Sequence, residues 1–518
     1  MQRNEANTDI AVDVSGRQLA RNTALNLVGR IVPLLVAVVA MPYVIRHLGP
    51  DRFGLLALAW MVVGYFSLFD LGIGPATTKF VAELFGKGEI EKLPELVWTA
   101  LASQTCFGLL AGFLLALATP LLVDRLLKIP AGLHSQAHLM FLILAAALPV
   151  DFATGSMQGV LAASQRFDLL NALTIPASSL NYLLPVGALA LGFGLPAIVL
   201  FLVLARAASL AVLVVLCVRL YPALRARVRF DPRLVRSLLS FGGWVAVSGV
   251  LAPILINFEK FAVATLLSVG ALTYYIPCYT MISKVAILPA ALATSLFPAF
   301  SYCGAKEGGS HLLQKLSVNP IKYILLLMAP ATIMFFLFGN DILRIWLGAD
   351  FSRRGATIFK ILALVFFIHA FAYVPLASVN GLGHPEWKAK LDLVEGPLFM
   401  ALCWILTLRM GLEGAALAKL AITAVDVVCL FVLSKKLVGF SFRDLTPSPL
   451  IKSFAVACIP VLGGLPLVIA AIPLSVEISV FAVSLAFYAL ATWKVALDDE
   501  DRLIVSGSLH RLMARKGI

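Results

Sequence analysis

The chain has 518 residues, 60% hydrophobic and only 13% charged, with a mean hydropathy of +0.95 and a formal net charge of +13. That charged share is about half of what a soluble globular domain carries, which excludes a water-soluble fold. The seven cysteines are scattered with no C-x-x-C pair. They read as small buried side chains, neither a disulfide framework nor a metal site.

Residues 1–21 are polar and mixed in charge. The first apolar run, "ALNLVGRIVPLLVAVVAMPYVI", is too long for the hydrophobic stretch of a secretory signal, and no small-residue cleavage site follows it. It reads as a retained helix. Apolar runs of about twenty residues then recur to the end of the chain, each long enough to cross about 30 Å of hydrocarbon. Fourteen spans are predicted, near 24–45, 54–80, 96–122, 137–161, 171–192, 196–218, 238–257, 271–299, 319–339, 356–379, 390–408, 413–433, 451–472 and 475–493. The seventh span is open to extension toward residue 267. No connection is long enough to hold an inserted soluble domain. The fold class expected is an all-α polytopic membrane protein of about fourteen transmembrane helices.

Lys and Arg concentrate in the loops on the side that holds both termini, most steeply in "RLYPALRARVRFDPRLVR" (Arg219–Arg236). Such a bias places both termini in the cytoplasm. It also accounts for the net charge without a nucleic-acid partner, and membrane lipids with anionic headgroups are the partner it implies.

Two landmarks recur at almost one spacing. "LGFGLPAIVL" (Leu191–Leu200) opens span six and "LRMGLEGAAL" (Leu408–Leu417) opens span twelve. Pairing Gly194 with Gly411 sets "LAASQRFDLL" opposite "VNGLGHPEWK" and, more weakly, "HLGPDRFG" opposite "LLSVGALTYY". Chance recurrence in Gly-Leu-rich hairpins is the competing reading. The repeat predicts a cytoplasmic tail (1–21), a first six-helix bundle (22–219), a basic cytoplasmic linker (220–237) and a second six-helix bundle (238–434). A cytoplasmic loop (435–450), two further helices (451–493) and a C-terminal cytoplasmic tail (494–518) complete it. Transporters built from repeats commonly place the substrate site between them and rock one against the other.

At this point the chain resembles a known family. "VIRHLGPDRFGLLALAWMVVGYFSLFDLGIGPATTKFVAE" (Val44–Glu83) is similar to the signature of the oligosaccharide flippases. These form the polysaccharide transport branch of the multidrug/oligosaccharidyl-lipid/polysaccharide flippase superfamily. "LLSVGALTYYIPCYTMIS", "LFPAFS" and "GLEGAALA" resemble the family's seventh, eighth and twelfth helices. The resemblance implies transfer of a polyprenyl-pyrophosphate-linked oligosaccharide from the cytoplasmic to the periplasmic leaflet, for O-antigen, capsule or exopolysaccharide synthesis. It also implies two pseudo-symmetric bundles in a V around a central, often cationic cavity, in a bacterial inner membrane. The polymerase and glycosyltransferases of the same pathway would be further partners.

An ionisable group within a span costs at least a few kcal/mol when it faces lipid, so it normally faces the bundle interior. Arg30, Arg206, Lys260, Lys284 and Lys419 are the candidate cations. Their guanidinium and ammonium groups are the donors that hold a pyrophosphate in a low-dielectric cleft. Arg206 sits in "VLARAASL", among small residues that favour close helix packing. Arg30 lies within two turns of a polar end, where snorkelling to the interface competes with the cavity reading. Asp70, Asp151, Glu259 and Asp426 are candidate coupling or structural acids. Lys419 and Asp426 share one helix face but about 10 Å of rise separates them, so they are not expected to pair. Asp392 and Glu395, with Lys388 a turn earlier, read as a solvated or ion-paired helix end. His134 and His138 alone make a poor metal site.

"GIGP" (Gly72–Pro75) is no phosphate loop, since it follows a membrane helix and its proline removes a donor. Gly72, Gly74 and Pro75 instead suit a hinge, with Asp70 anchoring the freed backbone. No Walker motif or catalytic loop is visible, so neither an enzyme nor a cofactor is expected. A cation-coupled multidrug antiporter of the same superfamily is the alternative within transport. A membrane enzyme acting on polyprenyl-linked sugars is the alternative outside it.

Overall fold

The computed structural model describes residues 16–68, 73–164, 166–226, 228–236, 257–305, 310–439, 448–459, 474–498 and 502. Regular structure among them is entirely helical. That is what hydrocarbon demands, because a backbone N–H or C=O left unbonded there costs several kcal/mol. Ten helices among the described residues are long and apolar enough to cross a membrane. The expected seventh span, up to residue 256, and the second half of the thirteenth lie outside the described residues. The chain divides into two compact units, Met1–Thr273 and Tyr274–Ile518.

The first unit holds α1 (Gly16–Leu68), α2 (Ile73–Lys87), α3 (Leu93–Leu121), α4 (His134–Ala163), α5 (Phe167–Ala190) and α6 (Leu195–Leu220). A straight helix of 53 residues would run about 80 Å, far more than a bilayer core. α1 is in fact two helices meeting at Gly49, whose φ of 74° and ψ of 170° break the ladder just before Pro50. A close helix seam joins α3 to α4. A Cβ on Gly112 would stand 2.3 Å from the Ala145 carbonyl oxygen, and one on Gly108 would stand 2.5 Å from the Cα of Pro149. "GLLAG" is therefore a small-x-x-x-small stripe that lets two backbones touch.

Of the expected hinge, Gly74 meets α4, since a Cβ on Gly159 would lie 2.9 Å from its carbonyl oxygen. The Thr78 hydroxyl donates to the same carbonyl at 3.1 Å. Asp70, Gly72 and the ring of Pro75 lie outside the described residues.

The turn after α1's break is gripped by the segment leading into α7 (Val269–Ser283). A Cβ on Gly54 would fall 2.0 Å from the Val269 carbonyl oxygen, and one on Gly270 would fall 2.3 Å from Asp51 Oδ1. The Thr273 hydroxyl donates to the Pro50 carbonyl at 2.5 Å. The α3–α4 loop joins the same seam. Lys128 N donates to Ala264 O at 3.1 Å, Val269 N donates to Lys128 O at 3.2 Å, and the Lys128 ammonium donates to Leu266 O. The two stretches that resemble each other in sequence thus lie against one another.

At the other end of α3, the basic segment 220–237 is pinned to the helix start. Trp98 Nε1 donates to Leu224 O at 3.1 Å, Asp231 N donates to Thr99 Oγ1 at 3.0 Å, and Arg229 pairs with Glu95 at 3.2 Å. Ahead of α5, Arg166 forks onto both oxygens of Asp168 at 3.0 Å each.

The second unit carries most of α7, then α8 (Ile287–Ala305), α9 (Ser310–Leu347), α10 (Ala349–Ala370), α11 (Tyr373–Gly381), α12 (Pro385–Val438), α13 (Ser448–Ala457) and α14 (Leu474–Ala491). α12 counts 54 residues but breaks at Gly411, with φ 63° and ψ −137°. A Cβ on Gly414 would stand 2.0 Å from Leu406 O. A straight helix would hold those residues about 12 Å apart, so the chain doubles back there and α12 supplies two antiparallel arms. The last helices dock on α9. Tyr488 donates to Leu326 O at 2.5 Å, the buried Lys322 pairs with Asp498 at 3.1 Å, and Phe338 meets Phe481 edge to face at 5.1 Å.

Placing a leucine at Gly112 forces α3 from α4. Gly112→Leu is expected to cost about 1–3 kcal/mol, read as a lower thermal midpoint of the detergent-solubilised protein. Leu109→Ala, on an exposed face of the same helix, should leave the midpoint nearly unchanged.

Candidate functional site

Three neighbouring helices of the first unit each contribute one polar side chain to a common point. Arg206 sits near the middle of α6 between alanines, and its guanidinium reaches across to Asp151 of α4 and Asn181 of α5. The Nη1–Oδ1 distance to Asp151 is 3.0 Å and the Nη2–Oδ1 distance to Asn181 is 3.2 Å. Asp151 is 8% exposed and Arg206 23%. The second oxygen of Asp151 is buried with no hydrogen-bond partner. A guanidinium offers five N–H donors, and these two bonds use only two of them. One residue along α5, the Tyr182 ring packs on Trp60 of α1, with centroids 5.4 Å apart. That aromatic pair has no signal in the sequence beyond two aromatics in different spans.

The remaining candidates take other partners. Lys260, in the helical segment 257–266, donates to Asn257 Oδ1 at 2.8 Å and lies 3.8 Å from Glu259. All of this is within the first unit. Lys284 sits exposed in the turn between α7 and α8. Arg30 lies on α1, with its side chain outside the described residues. In the second unit, Lys419 stands 4.9 Å above the Phe399 ring, a cation–π contact between the arms of α12. Asp426 accepts from Lys388 at 2.6 Å, and Lys388 also reaches Asp392 at 2.8 Å.

Glu395 departs from the helix-end expectation, because it is buried at 7% exposure rather than solvated. The sequence placed it near the polar end of a span, and what hides it is the folding back of α12 at Gly411. His134 and His138 both face Asp124, at 3.3 and 2.9 Å, as a half-exposed polar cluster. Among the described residues no group of three or more His, Cys, Asp or Glu is arranged to hold a metal.

Arg206→Gln leaves Asp151 buried without its cation and is expected to destabilise the protein by about 3–5 kcal/mol. Adding Asp151→Asn should restore most of that loss. A double-mutant cycle on thermal midpoints measures the coupling, and additive effects would show that the pair is not a pair.

The sequence model of the family described as "Polysaccharide biosynthesis protein" matches residues 44–354. The chain is 26% identical over 408 residues to the "Putative O-antigen transporter" of Shigella flexneri, covering 77% of this chain and 94% of that protein. It is 25% identical over 419 residues to "Uncharacterized membrane protein EpsK" of Bacillus subtilis (strain 168), covering 77% and 79%. Among solved structures, the lipid II flippase MurJ in an inward closed conformation superposes with a TM-score of 0.69 at 13% identity, over 92% of this chain and 99% of that one. An inward-facing multidrug transporter of the MATE family gives 0.66 at 15% identity, over 80% and 98%. The structural likenesses show a shared fold. With more than half its length matched by the family, this multi-pass membrane protein belongs to the polysaccharide biosynthesis protein family.

Proposed function

We propose that the chain is a flippase that moves a polyprenyl-pyrophosphate-linked oligosaccharide from the cytoplasmic to the periplasmic leaflet by alternating access, with both termini in the cytoplasm. The family, the name of the Shigella relative and the flippase fold support this reading. The observation that carries it is Arg206, a guanidinium with spare donors held near the middle of a membrane helix by Asp151 and Asn181. A pyrophosphate is dianionic or more, and a planar fork of N–H donors is its natural partner.

At rest Asp151 neutralises Arg206, so an arriving phosphate competes with that carboxylate for the guanidinium. Exchange of partners links the arrival of cargo to loosening of the α4–α6 contact. A mid-span arginine fits an anionic headgroup better than the cationic drugs of an antiporter. The names of the relatives, an O-antigen transporter and a flippase, favour transport over catalysis. Lys260, Lys284, Lys419 and Arg30 are secondary cations in this reading, and membrane lipids and enzymes of the glycan pathway are its partners.

Deleting the gene in its host is expected to abolish the surface polymer and to leave lipid-linked glycan at the cytoplasmic face, detected by chromatography of extracted lipids. Unchanged surface polymer in a host without a second flippase would overturn the proposal. Complementation with the Asp151→Asn, Arg206→Gln double variant should restore a membrane-inserted protein but less than a tenth of the polymer. Full recovery would remove Arg206 from the site.

A further inference from the structure

The connection between α3 and α4 holds a titratable group that the cargo site does not use. α3 runs into a single π-helical turn, Leu122–Leu126, that carries Asp124 and Arg125. The chain continues through Lys128, whose main chain and ammonium grip the segment 264–269. It enters α4 at His134. Two imidazoles of α4 converge on one oxygen of Asp124. His138 Nε2 lies 2.9 Å from Oδ1, and His134 Nδ1 lies 3.3 Å from the same atom. On its far side, His134 Nε2 stands 3.1 Å from the Ile129 carbonyl oxygen.

Counting acceptors decides which form of the ring fits. A carbonyl oxygen only accepts, so the bond to Ile129 puts an N–H on His134 Nε2. In the neutral ring the other nitrogen, Nδ1, is then a bare lone pair. It would face the lone pairs of a carboxylate oxygen at 3.3 Å. Only the imidazolium, with an N–H on each nitrogen, is attracted to both neighbours. His138 differs, because one N–H is enough for its bond to Asp124 and the neutral ring supplies it.

We propose that His134 is a proton-binding site that sets how firmly the α3–α4 connection holds the segment 264–269. In acid a proton from the solvent adds to Nδ1, and the imidazolium ties α4 to Asp124 and to Ile129 together. Lys128 lies between those two anchors in the chain, so its grip on the segment is braced from both sides. As the pH rises through the range in which histidines titrate, the proton returns to solvent and Nδ1 repels Asp124. The brace then loosens. The charged and titratable groups around the site are Asp124 and Arg125 on the π-turn, Lys128 after it, and His134 and His138 on α4. The segment 264–269 carries none, and the stretch of α1 around Gly49 carries Arg46, His47, Asp51 and Arg52. In the orientation proposed above this connection faces the periplasm, so the site would answer to external pH. That use rests on the proposed function; the proton itself does not.

Hydrogen–deuterium exchange of the purified full-length protein, compared between mildly acid and mildly alkaline pH after correction for intrinsic exchange, tests the site without any glycan. In the wild type the amides of residues 127–129 and 264–269 are expected to exchange about two- to fivefold more slowly in acid, the size of effect that a half-exposed charge pair provides. His134→Gln keeps a donor for the Ile129 carbonyl but cannot take up the proton, and it should remove the difference. Asp124→Asn should remove it from the other side. His138→Gln and His47→Gln should retain it. Equal protection at both pH values in the wild type, or a difference that survives both His134→Gln and Asp124→Asn, would overturn the proposal. So would a difference that disappears with His47→Gln.

Discussion

No water reaches the middle of a bilayer to satisfy a polar group, and the architecture follows from that single shortage. Every backbone N–H and C=O must find a partner inside the protein, so the regular structure among the described residues is helical. Hydrophobic collapse offers little between helices already surrounded by hydrocarbon. Contact must then come from shape, and the glycines of α3 and the carbonyls of α4 supply it. The same shortage governs side chains. Asp151, Arg206 and Asn181 are affordable in α4, α6 and α5 only because each lies within reach of another.

The two units meet this constraint with different charge arithmetic. The first builds a compact neutral pair around one guanidinium that keeps donors in reserve. The second spreads its charge along the arms of α12, where Lys388 holds Asp392 and Asp426 together. The chemistry of each group is set by what its neighbours leave unsatisfied.

Much of the fold was legible in the sequence because hydropathy and span length are set by the same bilayer thickness. The break at Gly411 was legible too, as the landmark opening span twelve. The first hairpin is subtler, since its left-handed residue is Gly192 with φ 81°, while Gly194, chosen for the pairing, is extended and caps α6. Arg206 and Asp151 could each be named from a charge inside an apolar run, but nothing in the sequence said that they meet. Helical periodicity relates residues of one helix, whereas the pair depends on the packing of two. The burial of Glu395 escapes the sequence for a related reason. Depth along a span is readable from position, but burial depends on what folds over it, and the covering arm belongs to the same helix bent back on itself. Asp70 and Gly72 lie outside the described residues and keep only their sequence-based reading.

The segment 264–273 is gripped largely at main-chain carbonyls: Ala264 and Leu266 accept from Lys128 of the α3–α4 loop, the Val269 carbonyl lies against Gly54, and Pro50 accepts from Thr273. A surface that reads its neighbour's backbone is indifferent to which side chains that neighbour carries. The side chain of Leu266 is therefore free to vary while its carbonyl keeps the seam, whereas Gly54, set against the Val269 carbonyl, has no room for a single added carbon. Sequence variation at this place would be sharply uneven, with one glycine held fixed beside a tolerant position.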